Sequence, residues 1–127
     1  MTDVPGPYHP IVMDHFTHPR NMGEMENADG VGESQNPVCG DTLRLFIKVE
    51  ADRITGATFL AFGCAGAIAA SSMVTEMIKG LTVEEALKIT RQKVSEALGG
   101  LPPTKIHCSV LAEGAIKAAV ADYRKRK

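Results

Sequence analysis

Alternating apolar and polar residues mark the middle of the chain. In TLRLFIKVE, residues 42–50, leucine, isoleucine and valine alternate with threonine, arginine and lysine, and Phe46 is the one residue out of phase. A period of two predicts a half-buried β-strand. The stretch RITGATFLAF, residues 53–62, predicts a second strand, and Glu50, Ala51 and Asp52 form a tight turn before it. The two strands are expected to pair as an antiparallel hairpin.

Helical patterns dominate the sequence on both sides of this hairpin. Pro10 suits the first turn of a short helix that ends before Pro19. After Cys64, the alanine- and methionine-rich residues 65–79 predict a buried helix that stops at Gly80. TVEEAL carries a capping box and RQKVSEALGG predicts another short helix. Apolar residues at helical spacing predict a last helix from about Ile106 to Arg124.

The order of these elements predicts an α+β fold, with a small antiparallel sheet of about three strands and helices packed on one face. Residues 21–37 are rich in glycine and polar side chains, and we expect them to form an irregular loop. The third strand comes either from before Cys39 or from the N-terminal region, and the pattern does not decide between them. The length of 127 residues suits a single domain, residues 1–127.

Composition narrows the classes of function. The chain is 44% hydrophobic and 23% charged with a net charge of −1, which is ordinary for a globular protein and offers no general field for nucleic acid or acidic lipid. No apolar run approaches the roughly 20 residues needed to span a membrane. The N-terminal residues resemble no targeting signal, and three cysteines cannot all pair within one chain. We therefore expect a cytoplasmic protein with reduced thiols and no membrane or nucleic-acid partner.

The three cysteines all lie at junctions between predicted elements. Cys39 precedes the first strand of the hairpin, Cys64 joins the second strand to a helix, and Cys108 opens the last helix. Helix N-termini favour the thiolate form of cysteine. Asp41 and His107 add an oxygen and a nitrogen donor beside two of these cysteines. The five side chains could meet at one end of the hairpin as a metal site.

Three chemical classes can use such a set of side chains. In a nucleophilic enzyme, His107 and Cys108 would form a proton relay, but neighbouring residues on a helix point about 100° apart. A structural zinc site fits the ligand types, although paired Cys-x2-4-Cys motifs are absent from the sequence. An iron–sulfur site suits isolated cysteines that converge in space. These residues favour a metal site over a catalytic dyad of His107 and Cys108, and they leave a zinc site and an iron–sulfur site as alternatives.

Five motifs resemble a known family over nearly the whole chain. They are DHFTHPRNMG, NPVCGD, FGCAGAIAASSMVTEMIKG, TVEEAL and LPPTKIHCSVLAEGAIKAAVADY. The chain resembles the U-type iron–sulfur cluster assembly scaffolds, IscU and the N-terminal domain of NifU, whose fold is SufE/NifU-like. It is less similar to the zinc-containing sulfur acceptors of the SufU branch, which typically carry an insertion before the last cysteine and lack the histidine that precedes it.

The resemblance implies a scaffold that is not an enzyme. On it a labile 2Fe–2S cluster is assembled from iron and from persulfide sulfur, which an IscS/NifS-like cysteine desulfurase supplies. The cluster then passes to apo iron–sulfur proteins, and zinc can occupy the isolated protein. The implied ligands are Cys39, Asp41, Cys64, His107 and Cys108. Among them, Cys108 matches the persulfide acceptor of the family.

The segment LPPTK is the second functional candidate. Two prolines favour an extended conformation that suits either a rigid spacer or capture in a peptide groove. The resemblance implies that this segment binds a DnaK-like chaperone that works with a J-type co-chaperone. Its residues are Leu101, Pro102, Pro103, Thr104 and Lys105.

Three histidines lie near the N-terminus. We interpret His9, His15 and His18 as surface or partner-contact residues.

Overall fold

The computed structural model describes residues 10–36, 40–100 and 107–126, with the side chain of His107 excepted. The elements in chain order are α1 (Pro10–Thr17), β1 (Gly30–Gln35), β2 (Thr42–Glu50), β3 (Arg53–Phe62), α2 (Ala65–Ile78), α3 (Val83–Ala86), α4 (Arg91–Ala97) and α5 (His107–Arg126). The strands form one antiparallel sheet in the order β1-β2-β3. The predicted α+β class with a three-stranded sheet is confirmed.

The hairpin of β2 and β3 has the register that its apolar pattern requires. Leu45 pairs with Phe59 and Ile47 pairs with Ala57, so the apolar side chains of both strands share one face. The connecting residues Ala51 and Asp52 have φ angles of 52° and 62°. Two consecutive positive φ angles are typical of the type I′ turn, whose twist matches that of the paired strands.

The prediction of an irregular loop over residues 21–37 was wrong for residues 30–35, which form strand β1. Residues 30–35 pair with β2 along their whole length. Gly30 and Gly32 of β1 are buried, and helix α5 lies directly against them. A β-carbon on Gly32 would lie 2.7 Å from the carbonyl oxygen of Ala115 in α5. The core-facing positions Gly30 and Gly32 carry no side chain, and the backbone of α5 fills the space that a side chain would occupy.

The core lies between the sheet and the helices. Helices α2 and α5 pack on one face of the sheet, with the long apolar side chains of β2 and β3 beneath them. Phe46 points to the other face, yet it is only 6% exposed. The segment between β1 and α1 crosses that face, because Gly23 donates to Phe59 on β3 and Lys48 donates to the carbonyl of Asn27. The helices therefore cover one face, as predicted, and this segment covers part of the other.

Helix α1 is fixed to α2 by buried polar contacts. His15 is only 8% exposed, and its Nδ1 lies 2.8 Å from the hydroxyl oxygen of Ser72, which also accepts a hydrogen bond from the backbone N–H of Arg20. Burial, together with the nearby charge of Arg20, lowers the pKa of His15 below its usual value. The prediction of a surface role was wrong for His15. It was right for His18, which is exposed, and His9 lies outside the described residues.

Two side-chain contacts fix the short helices. The predicted capping box is confirmed, because Glu85 N–H donates to the Thr82 hydroxyl at 3.1 Å and Thr82 N–H donates to the Glu85 carboxylate at 2.9 Å. Glu113 of α5 accepts hydrogen bonds from the backbone N–H and the guanidinium of Arg91, at the start of α4. This second contact ties the first half of α5 to α4.

No helix in the described ranges has the length and apolar character of a membrane span.

Candidate metal centre

Three donor side chains from distant parts of the chain meet at one end of the sheet. The donor atoms of Asp41, Cys64 and Cys108 all lie within 4.8 Å of one another. The Sγ atoms of Cys64 and Cys108 are 3.7 Å apart, and the Cys64 thiol donates to Oδ2 of Asp41 across 3.6 Å. A disulfide would bring the two sulfurs to about 2.05 Å, so the two cysteines are not bonded to each other.

Each of the three residues is held by the element that it borders. Cys64 is the N-cap of α2, with an extended backbone, and Cys108 is the second residue of α5. Asp41 directly precedes β2, and its carbonyl oxygen accepts the backbone N–H of Asn36 at 2.8 Å. Gly40 N–H also donates to the carbonyl oxygen of Asn36 at 2.7 Å. The site is therefore fixed by two helix starts and one strand start.

Gly63 provides the space for the carboxylate of Asp41. Its φ angle of +150° is one that residues with side chains rarely adopt. A β-carbon at this position would lie 2.7 Å from Cγ of Asp41 and still closer to its Oδ1. Residue 63 must therefore be glycine for the oxygen donor to lie beside the sulfur of Cys64.

The two sulfurs differ in their access to solvent. Cys108 is fully buried and Asp41 is 4% exposed, whereas Cys64 is partly exposed. Phe62, two residues before Cys64, is 70% exposed at the end of β3. The site therefore has a closed side at Cys108 and an open side at Cys64. The N-termini of α2 and α5 both adjoin the site.

Two of the distances between donors are those expected around one tetrahedral metal ion. Thiolate sulfurs about 2.3 Å from a zinc ion, at the tetrahedral angle, lie about 3.8 Å apart. A thiolate sulfur and a carboxylate oxygen about 2.1 Å from the same ion lie about 3.6 Å apart. The distances of 3.7 Å between the sulfurs and 3.6 Å from Cys64 to Asp41 match both values. Two soft sulfurs and one hard oxygen suit zinc or iron better than magnesium or calcium.

Comparison with known proteins identifies the family. Residues 7–127 match the family model described as the NifU-like N-terminal domain. The chain belongs to this family. It is 60% identical over 116 residues to the iron-sulfur cluster assembly scaffold protein IscU 1 of Archaeoglobus fulgidus, and the match covers 91% of this chain and 76% of that protein. It is 49% identical over 118 residues to the scaffold protein IscU of Aquifex aeolicus, covering 91% of this chain and 75% of that one.

A solved structure from the SUF system shares the fold of this NifU-like domain. The protein, described as an iron-sulfur cluster assembly scaffold protein (FiSufU) from Fervidobacterium islandicum, superposes with a TM-score of 0.77 at 24% sequence identity. The superposition covers 91% of this chain and 97% of the other. An identity this low supports a shared fold and nothing finer. The family predicted from the five motifs is thus confirmed by the family model and by the named relatives.

The described residues include three of the five predicted ligands of this NifU-like domain. Asp41, Cys64 and Cys108 are brought together, and His107 begins α5, although its side chain is outside the described set. Cys39 and the LPPTK segment, residues 101–105, also lie outside the described residues. Exposed Phe62 beside the site was not singled out from the sequence. The signal was available, because residue 62 falls on the solvent face of a strand in which Ala57 and Phe59 face the core.

Proposed function

We propose that this chain, residues 1–127, is one scaffold domain on which a labile 2Fe–2S cluster is assembled and then transferred to apo iron–sulfur proteins. The observation that carries the proposal is the convergence of the Cys64 and Cys108 sulfurs with the Asp41 carboxylate. Relatives at 60% and 49% identity are named as iron-sulfur cluster assembly scaffold proteins, which supports the same role and a non-enzymatic one. The cluster is then the cargo of the protein and not a resident cofactor.

The mixture of donors suits temporary binding. Four thiolates form the durable site of a ferredoxin, whereas an oxygen or nitrogen donor at one corner binds the iron of a cluster less tightly. Asp41 supplies such a corner next to two sulfurs. We propose that Cys39, two residues before Asp41, supplies the third sulfur, and that His107 is the alternative ligand at the exchangeable corner. A recipient protein could then displace the weak ligand with its own thiolate.

Iron and sulfur must both be delivered to the site. We propose that a cysteine desulfurase of the IscS/NifS type donates sulfur as a persulfide and that Cys108 is the residue that accepts it. The residues Leu101, Pro102, Pro103, Thr104 and Lys105 are proposed to bind a DnaK-like chaperone, assisted by a J-type co-chaperone. Their position just before His107 and Cys108 supports a role in release, because a pull on this segment would disturb both ligands. The thiols require a reducing compartment, which supports a cytoplasmic location.

A zinc-containing sulfur acceptor is the second candidate function. The distances that suit a single tetrahedral ion favour zinc as much as iron, and zinc could occupy the site of the isolated protein. In that case the chain would take sulfur from a desulfurase and pass it on without building a cluster. Both functions use the same three described donors, so the metal decides between them.

Anaerobic reconstitution separates the two functions. The chain is incubated with ferrous iron, cysteine and a cysteine desulfurase, and visible absorption and metal content are then measured. We expect an iron-dependent chromophore that passes to an apo-ferredoxin. Tight zinc with no chromophore, together with stimulation of the desulfurase, would support the sulfur acceptor and overturn the scaffold. A variant with Glu33→Ala, which removes an exposed carboxylate of β1, serves as a control and should behave as wild type.

A further inference from the structure

Cys64 and Cys108 form a pair of thiols with unequal access to solvent. Cys64 is partly exposed at the open side of the site, whereas Cys108 has no exposed surface. Their sulfur atoms are 3.7 Å apart, which is van der Waals contact, although the two residues are separated by 44 positions in the sequence. A small oxidant in solution therefore reaches the sulfur of Cys64 first, and the sulfur of Cys108 lies directly behind it.

This arrangement suits a reversible oxidation of the empty site. A redox-sensing cysteine is accessible to solvent and is often poised next to a second cysteine that resolves its first oxidation product. We propose that, in the metal-free protein, Cys64 is a site of oxidation by hydrogen peroxide and that Cys108 resolves it as an intramolecular disulfide. Disulfides in reducing compartments are typically transient bonds of this kind. The inference concerns the thiols themselves and goes beyond the proposed function, which the disulfide would regulate.

The oxidation has two steps, and both balance with hydrogen peroxide as the only oxidant. In the first, the sulfur of Cys64 attacks one oxygen of the peroxide, and the bond between the two oxygens breaks. The other oxygen takes up the thiol proton and leaves as water, so Cys64 becomes a sulfenic acid and the peroxide is reduced. In the second, the sulfur of Cys108 attacks the sulfur of Cys64, and the hydroxyl group takes up the proton of Cys108 and leaves as a second water.

Only side-chain movement is needed for the disulfide to form. The two sulfurs must approach from 3.7 Å to about 2.05 Å. Cys64 is the N-cap of α2, but its side chain makes no capping hydrogen bond, so its rotation leaves the start of the helix intact. The hydrogen bond from Cys64 to Asp41 depends on the thiol proton, which the first step removes.

The disulfide takes two of the three described donors out of the site. The thiolate is the form of cysteine that binds metal, and a sulfur in a disulfide is no longer a thiolate. Asp41 would be the one donor left of the three. Oxidised protein should therefore stop binding metal until a dithiol reductant restores the thiols, and its sulfurs are kept from the irreversible sulfinic and sulfonic acids.

Peptide mapping without reductant tests the proposal. Metal-free full-length protein is treated with hydrogen peroxide at low protein concentration, unfolded in the presence of an alkylating agent and digested. We expect a crosslinked peptide that joins Cys64 to Cys108 in monomeric protein and that disappears with dithiothreitol. In Cys108→Ser, Cys64 should carry a sulfenic acid that dimedone traps. In Cys64→Ser, oxidation of buried Cys108 should slow about tenfold or more.

Two results would overturn the proposal. The first is oxidation of Cys64 in the wild type to the sulfinic acid with no crosslink to Cys108. The second comes from Cys39→Ser, which removes the third thiol of the chain and should form the crosslink at the wild-type rate. A crosslink that joins Cys39 in the wild type, together with slower oxidation in Cys39→Ser, would show that the pair is a different one.

Zinc-loaded protein separates the disulfide from the proposed metal site. With zinc bound, the sulfurs of Cys64 and Cys108 are occupied, so the crosslink should form more slowly than in metal-free protein. If zinc gives no protection while the metal-free protein forms the crosslink, the disulfide stands and the metal site is wrong. Metal-free protein that forms no crosslink, yet binds zinc tightly, refutes the disulfide and leaves the metal site intact.

Discussion

Gly63 and the carboxylate of Asp41 occupy adjoining space, so that a β-carbon on residue 63 would lie 2.7 Å from Cγ of Asp41. Gly63→Ala should therefore push the carboxylate away from Cys64. Changes to residues that orient metal ligands typically weaken metal binding by about 10- to 100-fold. We expect a loss of that size in the affinity of the apo-protein for zinc, measured by competition with a chromophoric chelator.

Gly80 offers a matched control for this substitution. It has a positive φ angle of 88°, and a β-carbon there would meet nothing within 4 Å. Gly80→Ala should cost about 1–2 kcal/mol of stability through backbone strain and leave zinc affinity unchanged. If both variants lose affinity equally, the effect of Gly63→Ala comes from general destabilisation, and the contact with Asp41 does not explain it.

Removal of the Asp41 carboxylate should slow the release of the cluster. We propose that Asp41 is the weak ligand that a recipient displaces, and softer donors would hold the cluster in its absence. Asp41→Ala is expected to give a longer-lived cluster that transfers poorly to an apo-ferredoxin. The measurement is the decay of visible absorption with and without the acceptor. A cluster that decays faster than in the wild type would show that Asp41 stabilises the cluster, contrary to this account.

The close approach of α5 to β1 makes Gly32 sensitive to substitution. A β-carbon there would lie 2.7 Å from the carbonyl oxygen of Ala115, and backbone atoms cannot rotate away. Gly32→Ala should lower the free energy of unfolding by about 3 kcal/mol, measured by urea denaturation. Gly56→Ala is the matched control, because its nearest contacts would be ordinary ones at 3.6 Å. We expect that variant to be neutral or slightly more stable.

The buried contact between His15 and Ser72 predicts a loss of stability in mild acid. Burial lowers the pKa of His15 in the folded protein, so the unfolded chain binds more protons in the interval just below the usual pKa of about 6.5. Stability from this group is complete above that pH and falls as the pH drops toward the folded pKa. Urea denaturation between pH 7.5 and pH 5 should show this decline in the wild type.

Two variants assign the acid sensitivity to His15. His15→Gln should flatten the decline between pH 7.5 and pH 5, whereas His18→Gln should retain it because His18 is exposed. Asp14 and Glu76, whose pKa values are lowered chiefly by hydrogen bonds from Arg20 and Asn21, lose their contribution only as the pH falls through their usual pKa values of 3.8 and 4.5. A wild-type decline in His15→Gln would mean that another group is responsible.

Local patterns made much of the fold predictable. The hairpin follows from the alternation in residues 42–62, and the capping box of Thr82 follows from four consecutive residues. Strand β1 was missed because its core-facing positions Gly30 and Gly32 have no apolar side chain to create a pattern. Burial of His15 was missed for a related reason. Its partner, Ser72, lies 57 residues away, and only the packing of α1 on α2 brings them together.

The convergence of Asp41, Cys64 and Cys108 was predictable from the sequence, but its geometry was not. Cysteines at junctions, next to glycine and aspartate, indicated a shared site because junctions gather at the ends of a sheet. Differences in exposure depend on tertiary packing, so the sequence could not reveal that Cys108 is buried while Cys64 is partly open. The predicted ligand role of Cys39 and His107 and the predicted chaperone contact at residues 101–105 stay predictions.

Anomalous diffraction at the iron absorption edge tests the central claim most directly. Crystals of the anaerobically reconstituted protein would be measured above and below the edge, and iron would be located in the difference map. We predict an iron peak in bonding contact with Sγ of Cys64 and Sγ of Cys108, with Asp41 adjacent. Iron located away from these sulfurs, in protein that carries the full chromophore, would contradict the account.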